Sequence, residues 1–266
     1  MEPQAFQRVN LNNMLGLGNT ITGGAAPSEW TPGNLGSTMI IWFKNDTELT
    51  NLSGTDGNSD NRLQWSDQSG NNNHAIQDTD ADKPAISEGG LDFELSETDY
   101  MSFTTGFDFD HPKPFTMFFV VKRESTSTQC TLIGQSATEF ISFKNADDKI
   151  GVRNAGSGGD NVTVTFANSD LWGTGTDFIL IISKDSNGDL LFYKDGTAQA
   201  ESSGGTSRAD GDQMDILYLG TKVVPGSGTT HSFDGIMKEI IICDTVLSTS
   251  DRNDTVTYLK NKFSIS

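Results

Sequence analysis

From Met39 onward the chain is a succession of short apolar runs, none longer than five residues, separated by clusters rich in Gly, Asn, Asp, Ser and Thr. The runs recur roughly every 8 to 15 residues, a spacing typical of all-β sandwiches and barrels. Helices need an apolar stripe sustained over several turns, and the 28 glycines further argue against a helical bundle. Phe115-Thr-Met-Phe-Phe-Val-Val-Lys122 is apolar at odd and even positions, as a central strand covered on both faces would be. Asn161-Val-Thr-Val-Thr-Phe166 alternates polar and apolar residues, the mark of a half-exposed strand. Phe178-Ile-Leu-Ile-Ile182 and Leu190-Leu-Phe-Tyr193 flank Asn187-Gly188, which predicts a tight hairpin turn with positive φ at both residues. A long strand is expected from Phe233 to Cys243, followed by one helix. There Ser248 and Asp251 make a capping-box-like pair, and Val256, Leu259 and Phe263 fall at i, i+3 and i+7. That helix should pack on the edge or floor of the sandwich.

Leu, Ile, Val and Phe make up 61 of 266 residues, about 23%, above the roughly 20% below which chains tend to stay disordered. A lean core is therefore available, and the length fits one large all-β domain better than two small ones. The net charge is −18, from 18 Lys and Arg against 36 Asp and Glu, and apart from the adjacent Lys122 and Arg123 the bases are scattered singly. Nucleic acid is thus not an expected partner, because phosphate binding needs clustered bases. An anionic membrane surface is disfavoured for the same reason. Five-residue apolar runs also fall far short of the roughly 20 residues that span a bilayer, so no membrane insertion is expected. The segment from Met1 to Arg8 shows no basic region followed by an apolar one, and export by a Sec signal is not expected. Cys130 and Cys243 read as two reduced thiols, and His74, His111 and His231 lack the spacing of a zinc site.

Residues 1–37 differ from the rest. They are rich in Gly and Asn, show no sustained period, and are punctuated by Pro3, Pro27 and Pro32. Such a segment is either a frayed tail or an irregular arm that orders against a partner. Phe6, Leu11, Leu15 and Leu17 make it more apolar than a linker needs, which favours the arm. The division expected is an N-terminal attachment arm, 1–37, and a single domain, 38–266.

Trp65-Ser-Asp-Gln-Ser-Gly-Asn-Asn-Asn-His-Ala75, Gly90-Leu-Asp-Phe93 with Asp99-Tyr-Met-Ser-Phe103, Asp189-Leu-Leu-Phe-Tyr-Lys-Asp-Gly196, and the run from Phe233 through Phe263 occur in that order. In combination they resemble the laminin-G-like, concanavalin-A-like jelly-roll family of phage and bacterial surface proteins. The resemblance covers about residues 38–266. It implies an antiparallel jelly-roll β-sandwich with one C-terminal α-helix. Because that family serves glycan binding, adhesion and scaffolding, the fold leaves function open.

Two groups of residues are candidate sites. In the first motif Asp67 can make an Asx turn, Gly70 and Asn71 tolerate left-handed backbone, and Trp65 and Ala75 can pack inward. The functional alternative is a Ca²⁺ site built from Asp56, Asp60, Asp67 and Asn71, since hard cations take carboxylate and amide oxygens. Trp172, flanked by Asp170 and Asn168, is the candidate glycan platform, its ring stacking on a sugar while the polar neighbours bind hydroxyls. The alternative is that Trp172 caps the end of the sandwich. Trp30 is also expected outside, and Trp42 and Trp65 in the core.

Jelly-roll glucanases carry paired carboxylates in a Glu-x-Asp-x-Glu strand whose alternate residues face one cleft. This sequence has no such strand and no Gly-x-Ser-x-Gly, so no enzyme activity is expected. The reading that combines these observations is a non-catalytic structural or decorating protein on the surface of a phage particle. Its arm would hold capsid or other virion proteins, and its lectin-like domain would be free to bind cell-surface glycans. An exported bacterial adhesin or carbohydrate-binding module, extracellular or on the cell surface, is the alternative, and a glycoside hydrolase a more distant one.

Overall fold

A computed structural model of the protein describes residues 29–44, 49–52, 62–110, 112–126, 128–153, 161–203, 214–223 and 232–266. Thr31–Ser266 form one compact unit, and about 47% of the described residues are strand. In chain order the strands are β1 (Met39–Phe43), β2 (Leu49–Leu52), β3 (Arg62–Trp65), β4 (Ala75–Gln77), β5 (Ala85–Ser87), β6 (Gly90–Phe93), β7 (Met101–Asp108), β8 (Phe115–Arg123) and β9 (Cys130–Ser136). They continue as β10 (Glu139–Phe143), β11 (Lys149–Arg153), β12 (Asn161–Phe166), β13 (Asp177–Lys184), β14 (Leu190–Lys194), β15 (Thr197–Ala198), β16 (Glu201–Ser203), β17 (Asp215–Leu219) and β18 (Gly235–Cys243). One α-helix, α1 (Thr249–Phe263), follows.

The strands form two antiparallel sheets packed as a sandwich, as the run lengths predict. The eight-stranded sheet runs β15-β14-β13-β8-β18-β6-β5, and β1 joins it by pairing with β18. The ten-stranded sheet runs β16-β12-β11-β10-β9-β17-β7-β4-β3-β2. Between them lies one core, fed by Phe115, Met117, Phe119 and Val121 from β8 and by Ile141, Phe143, Ile150 and Val152 from β10 and β11. The intervening Phe118 and Val120 of β8 are buried as well, which explains why that segment is apolar at every position.

Two local expectations are refined. The β13–β14 hairpin is present, but only Gly188 takes a positive φ, +86°. The Asp185 carboxylate does the rest, accepting the N–H groups of Asn187 at 2.8 Å and Asp189 at 2.9 Å. The helix is capped as expected, with Ser248 Oγ accepting the Asp251 N–H at 3.1 Å. It packs on the outer face of the eight-stranded sheet, not on an edge. A buried carboxylate explains the position: Glu239 of β18 accepts the Trp42 indole N–H at 2.8 Å and Lys262 Nζ of α1 at 2.6 Å. Removing one partner of such a pair leaves a buried charge uncompensated, so the contact fixes where the helix lies.

Pro32–Thr38, all but the last of which the sequence places with the arm, form 3-10 turns with Pro32 and Leu35 buried. Residues 1–28, and with them Phe6, Leu11, Leu15 and Leu17, lie outside the described residues. Cys130 and Cys243 are buried free thiols. Burial raises both, Cys243 to about 12.

Candidate functional site

The glycan platform expected at Trp172 does not form. Trp172 is fully buried, with its ring centroid 5.4 Å from that of Phe166, 5.7 Å from Phe178 and 6.1 Å from Phe143. No sugar can stack on a ring with both sides occupied. The turn made by Asn168 and Asp170, closed by the Asp170 N–H on Asn168 Oδ1 at 3.1 Å, stays exposed and sends Leu171 and Trp172 inward. The backbone of Trp172 is then fixed twice. Its N–H donates to the Asp147 carbonyl at 2.7 Å, and its own carbonyl accepts Nη1 of the buried Arg123 at 2.5 Å. The alternative reading, a cap on the end of the sandwich, describes what is seen. Trp42 and Trp65 are buried, and Trp30 is partly exposed.

Asp67 is likewise spoken for. Its Oδ1 accepts the N–H groups of Trp42 and Ser69, both at 2.9 Å. Its Oδ2 accepts the Ser69 hydroxyl at 2.7 Å and the Asn73 N–H at 3.0 Å. Four donors fill the four good acceptor directions of a carboxylate, which leaves none for a cation. Asn71 Nδ2 donates to the Met39 carbonyl at 3.0 Å, and Asn73 Nδ2 to that of Ile40 at 2.9 Å. The Trp65–Ala75 motif is therefore a clamp that ties the β3–β4 loop to β1. The Asp67 carboxylate, expected to ligate calcium, serves that role instead, and Asp56 and Asp60 lie outside the described residues.

The structure brings other residues together at the end of the sandwich where β7 stops and β8 starts. Here Ile40, Phe107, Phe109 and Pro114 wall a recess of about 300 Å³, with Asp108, Lys113 and Asp244 as its charged lining. Strand alternation sends Phe107 and Phe109 inward and leaves Asp108 outside. Pairing of β17 with β7 then sets Asp215 opposite Asp108. Carboxylate oxygens of Asp108, Asp110 and Asp215 lie within 4.8 Å of one another. The corner is held by the Asp110 carboxylate, which accepts the Met214 N–H at 2.7 Å, and by the Phe109 N–H on the Met214 carbonyl at 2.8 Å. Beneath it, buried Lys184 donates to the Phe109 carbonyl.

These acids are not equivalent. The bonded Lys113 ammonium, then the Asp110 N–H, hold the Asp108 carboxyl below its usual range. Asp215 is pushed up, first by burial and then by the charges of Asp110 and Asp108. Burial also raises the nearby Glu139, with help from Asp215 and Asp110. A second group, Asp92, Glu94 and Glu124, gathers its oxygens within 4.8 Å near the opposite end. Among the described residues these two groups are where oxygen ligands for a hard cation converge. The first also adjoins an apolar wall and a lysine, so it offers what a hydroxyl-rich ligand needs: acceptors for its hydroxyls, one cationic donor, and apolar surface for its C–H face.

No protein-family model matches the chain, and no curated protein sequence matches it. Solved structures do. Trypanosoma rangeli sialidase in complex with sialic acid superposes with a TM-score of 0.55 at 13% identity, over 85% of this chain and 33% of that one. The ligand binding domain of botulinum neurotoxin serotype D in complex with N-acetylneuraminic acid superposes at 0.53 and 15% identity, over 83% of this chain and 51% of that one. The chain thus spans about a third of the length of the sialidase and about half that of the toxin domain. At such identities the likeness is one of fold: this chain is a β-sandwich that superposes on parts of those proteins. It also corrects the expectation of no enzyme activity. Sialidases stand among the fold neighbours beside a toxin binding domain, so the missing Glu-x-Asp-x-Glu strand and Gly-x-Ser-x-Gly do not rule out catalysis for a sandwich of this kind.

Proposed function

We propose that this chain is a carbohydrate-binding domain of the laminin-G-like, concanavalin-A-like kind, seating a sugar in the recess beside Phe107. The observation that carries the reading is the convergence of Phe107, Ile40, Asp108, Lys113 and Asp244 on one open recess at the end of a lectin-like sandwich. Fold neighbours crystallised with sialic acid support the ligand class but not the seat. The test is a panel of immobilised neutral and acidic oligosaccharides, followed by titration of the best binder into wild type, Lys113→Ala and Asp108→Asn. Affinity should fall tenfold or more in each variant, about 1.4 kcal/mol, with an unchanged melting temperature. Unaltered affinity in both would move the seat elsewhere. The bound oligosaccharide is also followed for release of reducing sugar, which reads turnover directly.

The finer reading makes the domain a decorating protein on the virion surface, attached to capsid or other virion proteins through residues 1–37, with an exported surface adhesin as the alternative. It rests on the sequence: a surface-protein motif set joined to an apolar, Gly-rich arm. Deleting residues 1–30, which spares the buried Pro32 and Leu35, should abolish incorporation into particles while the melting temperature barely moves. Normal incorporation of the truncated chain would sink it.

A further inference from the structure

The outer face of the ten-stranded sheet carries a charge cluster of the opposite sign. Ile141, Phe143, Ile150 and Val152 point into the core, so alternation turns Phe140, Gly151 and Arg153 outward. Phe140 pairs with Arg153 on one side and with Gly134 of β9 on the other. The two glycines let a side chain, at Gly151, and a neighbouring backbone, at Gly134, come close. A Cβ at Gly151 would sit 2.3 Å from Lys144 Cε, and one at Gly134 would sit 2.8 Å from the Cα of Lys222. Lys144 Nζ and Lys222 Nζ are consequently brought over the same Phe140 ring, 5.6 Å and 5.2 Å from its centroid.

Among the described residues no carboxylate pairs with this cluster. Acidic residues outnumber basic ones two to one in this chain, and Lys83, Lys113, Lys122, Lys238 and Lys262 each pair with a carboxylate. Among the described residues the hydrogen-bond acceptor of Lys144 Nζ is the neutral Gln129 Oε1, at 3.3 Å. Lys222, 8% exposed, has the Phe140 ring and no hydrogen-bond acceptor among the described residues, and Arg153 Nε is buried without one. Burial holds both lysines below their usual range. Lys222 and Arg153 add to this at Lys144, and Arg153 adds to it at Lys222. Cation–π contact offsets only part of the cost of burying unpaired cations. An arriving anion would repay the rest and take up the free donors.

We propose that Lys144, Lys222 and Arg153 form an oxyanion seat that takes the carboxylate or sulfate group of an acidic sugar. The nature of the carrier rests on the carbohydrate-binding reading, whereas the seat is separate from the recess at Phe107. The experiment uses the full chain, wild type and the double variant Lys144→Gln/Lys222→Gln, with inorganic sulfate, N-acetylneuraminic acid and lactose as probes at constant ionic strength. Both acidic probes should shift the amide resonances of Gly134 and Gly151 in wild type, and lactose should not. The double variant should lose these shifts at least tenfold, yet melt at the same temperature as wild type or higher, because the substitutions relieve repulsion. Equal responses in variant and wild type would overturn the seat. A response to sulfate without one to N-acetylneuraminic acid would overturn the sugar assignment. Lys113→Ala should leave these shifts intact, so failure here and failure at the recess are read separately.

Discussion

At one end of the sandwich Arg123 lies over Phe143, its guanidinium carbon 4.5 Å from the ring centroid, and at the other Lys184 lies over Phe115, its Nζ at 5.4 Å. Both cations are buried and both give hydrogen bonds to backbone carbonyls, of Trp172 and Ser125 at the first end and of Phe109 at the second. The ends then part ways. Trp172 fills the Arg123 end, whereas the Lys184 end opens into the recess between Phe107, Pro114 and Asp244. A buried cation bonded to a carbonyl thus fixes a loop in either case. The difference lies in what the loop carries: Trp172 plugs the first end, whereas the loop through Phe109 sets Asp108 at the lining of an open recess.

The closed end should break first. Trp172→Ala removes a ring packed on three other aromatic side chains, at a cost of about 3–5 kcal/mol, the range for large core truncations. Chemical denaturation at 25 °C measures it, and a loss under about 1 kcal/mol would show that the ring is not what closes this end. Trp172→Phe should recover a large part of the loss by refilling the volume.

A smaller effect separates the ends by pH. Asp99, beside the closed end, is 1% exposed. Burial lifts its carboxyl to about 7, the charges of Glu97, Glu94 and Asp82 add to this, and the Glu94 N–H on its Oδ2 at 2.8 Å opposes it. Its folded-state pKa therefore lies above the unfolded one, near 3.8. The stability it contributes is complete below pH 3.8, declines as the unfolded chain ionises first, and is gone above pH 7. Between pH 5 and 7 the unfolding free energy should fall by up to about 1.4 kcal/mol per pH unit. Asp92 and Glu94 at this end shift the same way, chiefly through burial. At the open end Asp215 and Glu139 add the same sign and Asp108 the opposite. Asp99→Asn isolates the closed end: it should flatten the profile and stabilise the protein at pH 8. A profile as steep as that of wild type would assign the dependence to other acids.

What the sequence reveals follows the range of the interactions involved. The strand β8, the β13–β14 hairpin and the Ser248 cap rest on neighbours in the chain, and patterning reads them. The clamp at Asp67 was legible as a turn because its donors at Ser69 and Asn73 are two and six residues away. Trp172 was misplaced since a Gly-rich loop has no period to show which way a ring turns, although the adjoining Leu171 hinted at an inward one. The recess depends on Asp215 meeting Asp108 across the β17–β7 pairing, and the basic cluster on Lys222 reaching a ring carried by β10. Neither pairing leaves a local trace, because strand order in a sandwich is set by long-range packing.

The smallest effect on stability should be the most informative about binding. Lys113 and Asp108 form an ion pair in which both side chains are about half exposed. Such pairs contribute at most about 1 kcal/mol, since water screens them and two long side chains must be held in one geometry. Lys113→Ala should thus leave the denaturation midpoint within error of wild type. It frees the Asp108 carboxyl, which should titrate closer to its ordinary range, and it strips the recess of the cationic donor in its lining. A ligand that uses this donor loses affinity without any loss of fold, which is the reverse of what Trp172→Ala does. If Lys113→Ala instead destabilises the protein as Trp172→Ala does, both ends are structural plugs and the contrast between them fails.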